Sequence, residues 1–321
     1  MAKLLSILLL LSCYYISTVI SSGWSYKEQQ NWANGENQCD GSSQSPIDLI
    51  TQDVFYNNTL KLDLINYDQP LISYKVTNNG HSIQFDYTGD VDSAPAITGT
   101  VLNNGIFRLA QFHFHWGMAK HIGSEHKING RAFPVEMHLV HYNHAKHETL
   151  SKALEARDGS VSVLGVFFEI KKMNPEFEVI GDMIEKLQES TPEQSQFLRE
   201  TITLKNLLPE NLEKLYRYHG SLTTPPCTEG LVWLVLSQPS EIGRSQFEKF
   251  LGVIDEHTGE KMANNFRRIQ PLNGRKVESS FQPETVNKGF VQTMASSSTN
   301  IVSLIIIFLS LVGASPFLSI H

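Results

Sequence analysis

The chain has 321 residues, 41% of them hydrophobic and 18% charged, a balance that supports a large buried core and excludes general disorder. A formal net charge of −7 without any long basic run excludes a nucleic-acid binder held through phosphate contacts. With 3 cysteines, neither a cysteine-built zinc ribbon nor a densely stapled mini-fold can form.

Residues 1–22 open with Lys3, continue as an apolar run and end in Ser21, Ser22 and then Gly23. A short positive start, an apolar middle and small exit residues predict a cleaved secretory signal peptide. Cleavage would remove Cys13 and leave Cys39 and Cys227. In an oxidising compartment these two most economically form one disulfide. The sequon Asn57-Asn58-Thr59 makes Asn57 a predicted glycosylation site in a polar surface segment.

Short β-rich runs follow at 71–76, 82–87, 107–116, 133–142, 161–170 and 231–236. Asn-Gly turns at Asn79-Gly80 and Asn104-Gly105 separate several of them. Helical signals are fewer. Phe177, Ile180, Ile184 and Leu187 recur at the helical period. Thr191-Pro192 offers a helix start with proline at the first helical position, and Ser245 to Glu248 has the form of a capping box. The body therefore reads as one mainly β domain, 23–290, with a few short surface helices.

At the far end, the small residues Ala295 to Ser298 lead into an apolar stretch that begins at Ile301 and has no Lys or Arg after it. Residues 291–321 thus fit a signal for glycosylphosphatidylinositol attachment, with a membrane-spanning anchor as the alternative. Either one tethers the protein at the extracellular face of the plasma membrane.

The most informative segment is Gln111-Phe112-His113-Phe114-His115-Trp116. Strand side chains alternate, so His113 and His115 share one face and Phe112, Phe114 and Trp116 the other. In 135–142, Glu136, His138 and Val140 share a face, opposite Met137, Leu139 and His141. If the two strands are neighbours, three imidazoles converge. Three neutral nitrogen ligands with an open fourth position suit a catalytic zinc site. Spacing does not decide whether Glu136 is an additional ligand or an acceptor that orients a histidine. A His-x-His iron site completed by a carboxylate therefore stays open as a rival, as does a non-catalytic adhesion module built on a similar fold.

Taken together, Phe112 to Gly117, Ser124-Glu125-His126 and Glu136 to His141 resemble the α-class carbonic anhydrases. So do Trp24 and Tyr26 near the start, Gln44-Ser45-Pro46-Ile47-Asp48, Asn78-Asn79-Gly80-His81, Gly220 to Pro226, and Gln270 to Arg275. The resemblance implies a large twisted, mostly antiparallel central sheet. It also implies a zinc lyase that hydrates CO₂ to bicarbonate and a proton, by attack of zinc-bound hydroxide. His113, His115 and His138 would bind one Zn²⁺, Thr223 and Glu125 would orient the nucleophile, and His81 would export the proton. Gln111, Glu136 and the carbonyl of Asn265 would hold the three ligands. Val140, Val161, Val163, Leu222, Leu231 and Trp233 would form the apolar wall for CO₂, with Thr224 and Gln84 on the polar side. His126 and His141 would be buried structural residues, and Cys39–Cys227 the bridge of secreted and tethered members. His144 and His147 read as a solvated face. Two positions depart from the family pattern, His219 for a common proline and Phe266 for a frequent tryptophan. The partners implied are CO₂, bicarbonate and a membrane; nucleic acid is excluded, and no sequence signal marks a bicarbonate transporter.

Overall fold

Alternation of apolar and polar residues in long β-rich runs requires a sheet with two unlike faces, and the chain builds one. The computed structural model describes residues 24–34, 37–187, 200–255 and 259–282. Among these, twelve strands form one mixed, mostly antiparallel sheet. Its main strands are β1 (Tyr74–Asn78), β2 (Ile83–Tyr87), β3 (Phe107–Trp116), β4 (Val135–Tyr142), β5 (Val161–Ile170), β6 (Leu215–Ser221) and β7 (Glu229–Leu236). They lie side by side in the order β6-β7-β5-β4-β3-β2-β1, antiparallel at every step except the parallel pair β5–β7.

Strand β4 is central, and all eight of its residues are buried. On one face Val135, Met137 and Leu139 join Phe112, Phe114 and Trp116 of β3 in the larger apolar cluster. The helix Pro175–Leu187, in register with the predicted period, buries Phe177, Ile180, Ile184 and Leu187 in the same cluster. Each such side chain contributes roughly 1.5–3 kcal/mol of transfer free energy. The other face of β4 turns Glu136 and His138 towards the functional site.

A β-bulge in β3 sets which face its histidines occupy. Leu109 pairs with His141 and Gln111 with Val140, which leaves Ala110 as an extra residue. Before the bulge Phe107 and Leu109 enter the large cluster; after it Phe112, Phe114 and Trp116 do. One inserted residue thus exchanges odd for even positions, and Gln111, His113 and His115 swing to the opposite face. Strict alternation along 107–116 does not reveal this slip.

Two predicted boundaries move. Strand β4 begins at Val135 rather than 133, because Pro134 has no N–H to give the ladder. Strand β1 begins at Tyr74, while Leu71 makes only an isolated bridge to Ile202. The three α-helices among the described residues are α1 (Leu150–Ala156), α2 (Pro175–Leu187) and α3 (Arg244–Phe250). The start expected at Ser245 is corrected: Gly243 is the cap, and the Gln246 side chain accepts the Gly243 N–H at 2.9 Å.

The chain divides into two units, Met1–Phe281 and Gln282–His321, and only Gln282 of the second is described. The leader 1–22, the helix start at Thr191-Pro192 and the tail 291–321 lie outside the described residues. Among those described, no helix is long and apolar enough to cross a membrane. Cys39 and Cys227 are bonded, with an S–S distance of 2.08 Å and Cα atoms 4.9 Å apart.

Candidate metal centre

Pairing of β3 with β4 places His113 directly opposite His138 and His115 opposite Glu136. His113, His115 and His138 each offer a nitrogen within 4.8 Å of the other two. The remaining nitrogen of each ring is taken by an oxygen. His113 Nδ1 lies 2.8 Å from Gln111 Oε1, His115 Nδ1 2.7 Å from the Asn265 carbonyl, and His138 Nε2 2.7 Å from Glu136 Oε1. Oxygen acceptors on the outside fix the proton there and leave a lone pair on the inward nitrogens. Burial drives all three histidines towards the neutral form: His113 falls well below its ordinary value, His115 to about 3, and His138 falls despite the opposing pull of Glu136. The donor set is therefore three neutral imidazoles, ready to bind without first losing a proton.

Glu136 is occupied elsewhere. Its Oε1 also accepts from His126 Nδ1 at 2.7 Å, and its Oε2 accepts the His126 backbone N–H at 2.8 Å. Burial pushes its pKa up, but the attraction and hydrogen bonds of His126 and His138 prevail and hold it well below the carboxylate range. The carboxylate holds two histidines in place, and its oxygens group with His126 and His138 rather than with the His113–His115 pair. Gly165 on β5, opposite His138, makes room for it: a Cβ there would stand 3.3 Å from Glu136 Oε1.

Glu125 is buried at the rear of the centre. Its Oε1 accepts the Arg267 N–H at 2.7 Å, while Oε2 lies 3.5 Å from His115 Nε2. Among the described residues neither of these facing atoms, both buried, has a hydrogen-bond partner within bonding geometry. Burial raises the Glu125 pKa well above its ordinary value, against the Thr223 hydroxyl and the Arg267 N–H. A cation on the inward nitrogens would satisfy the His115 lone pair and stabilise the carboxylate, so the residues fit a divalent metal with nitrogen ligands.

These histidines open onto a cavity of about 210 Å³ whose lining includes Val140, Val163, Leu222, Thr223, Thr224, Trp233, Gln84, Gln111 and His81. Val161 and Leu231 are not among its lining residues and pack in the apolar cluster that also holds Val140, Val163 and Trp233. The family model described as eukaryotic-type carbonic anhydrase matches residues 27–281. Human carbonic anhydrase 7 is 37% identical over 266 residues, covering 81% of this chain and 98% of the relative. Human carbonic anhydrase 6 is 34% identical over 275 residues (84% and 86%), and rat mitochondrial carbonic anhydrase 5A is 36% identical over 254 (78% and 81%).

The chain belongs to the eukaryotic-type carbonic anhydrases. Enzymes of this family hydrate CO₂ and depend on zinc, and the histidine cluster is a centre of the kind that a carbonic anhydrase needs. His81, half-buried, lines the same cavity, its ring stacked on Trp24 with centroids 3.6 Å apart. Sequence reasoning missed Leu150 and Leu154 of α1, which also line the cavity. Spacing of i and i+4 on a short helix was the available signal, but nothing local says which surface that helix covers. Arg267 was missed as well, since its contacts span the whole length of the chain. His126 and His141 are fully buried, bonded to Tyr218 and Tyr67 respectively. His144 and His147 contact Tyr142 and Asp158 and lie apart from the centre.

Proposed function

We propose that this carbonic anhydrase catalyses reversible hydration of CO₂ at the extracellular face of the plasma membrane, with one Zn²⁺ held by His113, His115 and His138. The observation that carries the reading is the convergence of three neutral, outward-anchored imidazoles, whose inward nitrogens all lie within 4.8 Å of one another. A zinc ion bound there supplies Lewis-acid activation of water at neutral pH.

The chain's own residues do the rest. Thr223 passes a hydrogen bond towards Glu125, which as a carboxylate only accepts, and so fixes the direction in which the Thr223 hydroxyl points. The threonine oxygen is then left to accept from the nucleophile and aim it at the substrate. Val140, Val163, Leu222 and Trp233 offer uncharged CO₂ an apolar wall, with Val161 and Leu231 packed in the same apolar cluster; Thr224 and Gln84 face the polar side. His81 carries the released proton from the cavity to solvent, because an imidazole exchanges protons near neutral pH.

Residues 1–22 act as the signal peptide, 23–290 as the catalytic domain and 291–321 as the signal for glycosylphosphatidylinositol attachment. The Cys39–Cys227 bond supports passage through an oxidising compartment. Asn57 carries a glycan; the Oδ1 of its side chain accepts from the Thr59 hydroxyl at 2.7 Å, an arrangement that presents the sequon as a turn. Two experiments test the reading. Replacing His115 by Ala should abolish hydration by the purified protein, and hydration at the wild-type rate would refute it. Phosphatidylinositol-specific phospholipase should release the protein from cells, whereas full retention would refute the lipid anchor.

A further inference from the structure

Arg267 is buried, 4% exposed, and its guanidinium forms no ion pair among the described residues. Its guanidinium donates to the Cys39 carbonyl at 2.9 Å, to the Ser45 carbonyl at 2.8 Å and to Gln44 Oε1 at 2.7 Å. The same Gln44 donates through Nε2 to the Cys227 carbonyl at 3.2 Å. Both halves of the disulfide are therefore tied to one guanidinium, one directly and one through Gln44. The Trp32 ring, packed with both cysteines, lies 5.6 Å beneath the guanidinium carbon.

The backbone of the same segment reaches the metal centre. Arg267 N–H holds Glu125 Oε1 at 2.7 Å. Two residues earlier, the Asn265 carbonyl holds His115, and its side-chain amide donates to the carbonyls of His81 and Phe114. Asn265 Oδ1 accepts the Trp116 N–H at 2.7 Å. Residues 265–267 thus grip a ligand, the buried carboxylate and the backbone of His81 on one side, and both cysteines on the other.

We propose that Arg267 is a positioning residue that couples the Cys39–Cys227 bridge to retention of the metal. The bridge restrains the nitrogen cage through Arg267, in addition to the Thr223 loop in which Cys227 sits. The proposal rests on the reading that the three histidines hold zinc. A lysine in place of Arg267 keeps the charge but has no planar fork to span three acceptors.

The test is the rate of zinc loss from the loaded protein to a chromogenic chelator, with thermal stability measured alongside. Arg267→Lys and the pair Cys39→Ser with Cys227→Ser should each speed loss about tenfold, the scale of an orienting contact around a metal ligand. All three changes together should give clearly less than the product, because both routes act through one network. Gln44→Ala, which severs the Cys227 branch and one of the Arg267 bonds along with the Gln44 contacts to Glu229 and Ser221, should speed loss in the same direction and decides the matter if Arg267→Lys does not fold. Wild-type rates in Arg267→Lys, or in Gln44→Ala where it stands in, or a simple product in the combined variant, would overturn the proposal even if stability falls. A wild-type protein that binds no zinc would instead overturn the metal reading itself.

Discussion

The His81 imidazole lies flat against the Trp24 indole, with ring planes only 16° apart. The same histidine lines the cavity onto which His113, His115 and His138 open and has its backbone carbonyl fixed by Asn265 at 2.9 Å. A ring so held borders the cavity and stays half-exposed to solvent. Replacing His81 by Ala should lower turnover about tenfold or more in weakly buffered solution. It should leave kcat/KM for CO₂ unchanged and be rescued by added imidazole. Stopped-flow assays across buffer concentrations check this, and turnover equal to wild type without buffer would rule out the shuttle.

Glu136 serves two histidines at once, so its charge and both oxygens matter. Glu136→Gln turns one acceptor into a donor facing an N–H. Zinc affinity, measured by competition with a chelator, should weaken about 10- to 100-fold. An unchanged affinity would show that His138 needs no such partner.

Buried histidines also set the acid limit of the fold. Burial holds the pKa of His141, bonded to Tyr67 and on the face of β4 opposite His138, at about 3. In the unfolded chain the value is about 6.5, so between these limits the unfolded state binds more protons. The contribution is complete above about pH 6.5 and is lost as pH falls towards 3, at about 1.4 kcal/mol per pH unit. Urea unfolding of the metal-free protein from pH 7 to pH 4 should show this slope, and His141→Gln should flatten it by one histidine's share. An identical slope in the variant would contradict the assignment.

Much of this site was legible in the sequence because it is built on strands. Alternation in β4 put Glu136 and His138 on one face, and the family resemblance supplied the threonine loop and His81. The bulge at Ala110 was invisible, since a one-residue insertion in a ladder is defined by the partner strand. Whether Glu136 bound a metal or a histidine likewise depended on His126, ten residues earlier in the chain. Arg267 was the hardest to see, because its acceptors lie on segments brought close only by the complete fold.

The disulfide closes a separation of 188 residues. Loop-closure entropy for a cross-link of that span amounts to about 5 kcal/mol in the chain-entropy model. Reduction should therefore lower the melting temperature and slow hydration, as the segment carrying Thr223 and Cys227 relaxes. Calorimetry and kinetics with and without reductant check both effects; no change in either would make the bridge irrelevant to fold and catalysis.

The decisive measurement is CO₂ hydration during stepwise return of zinc to the chelator-stripped protein. Activity should be absent without metal and climb linearly to a sharp plateau at one equivalent per chain. Full activity in the stripped protein, or none after zinc has bound, would contradict a centre made of His113, His115 and His138.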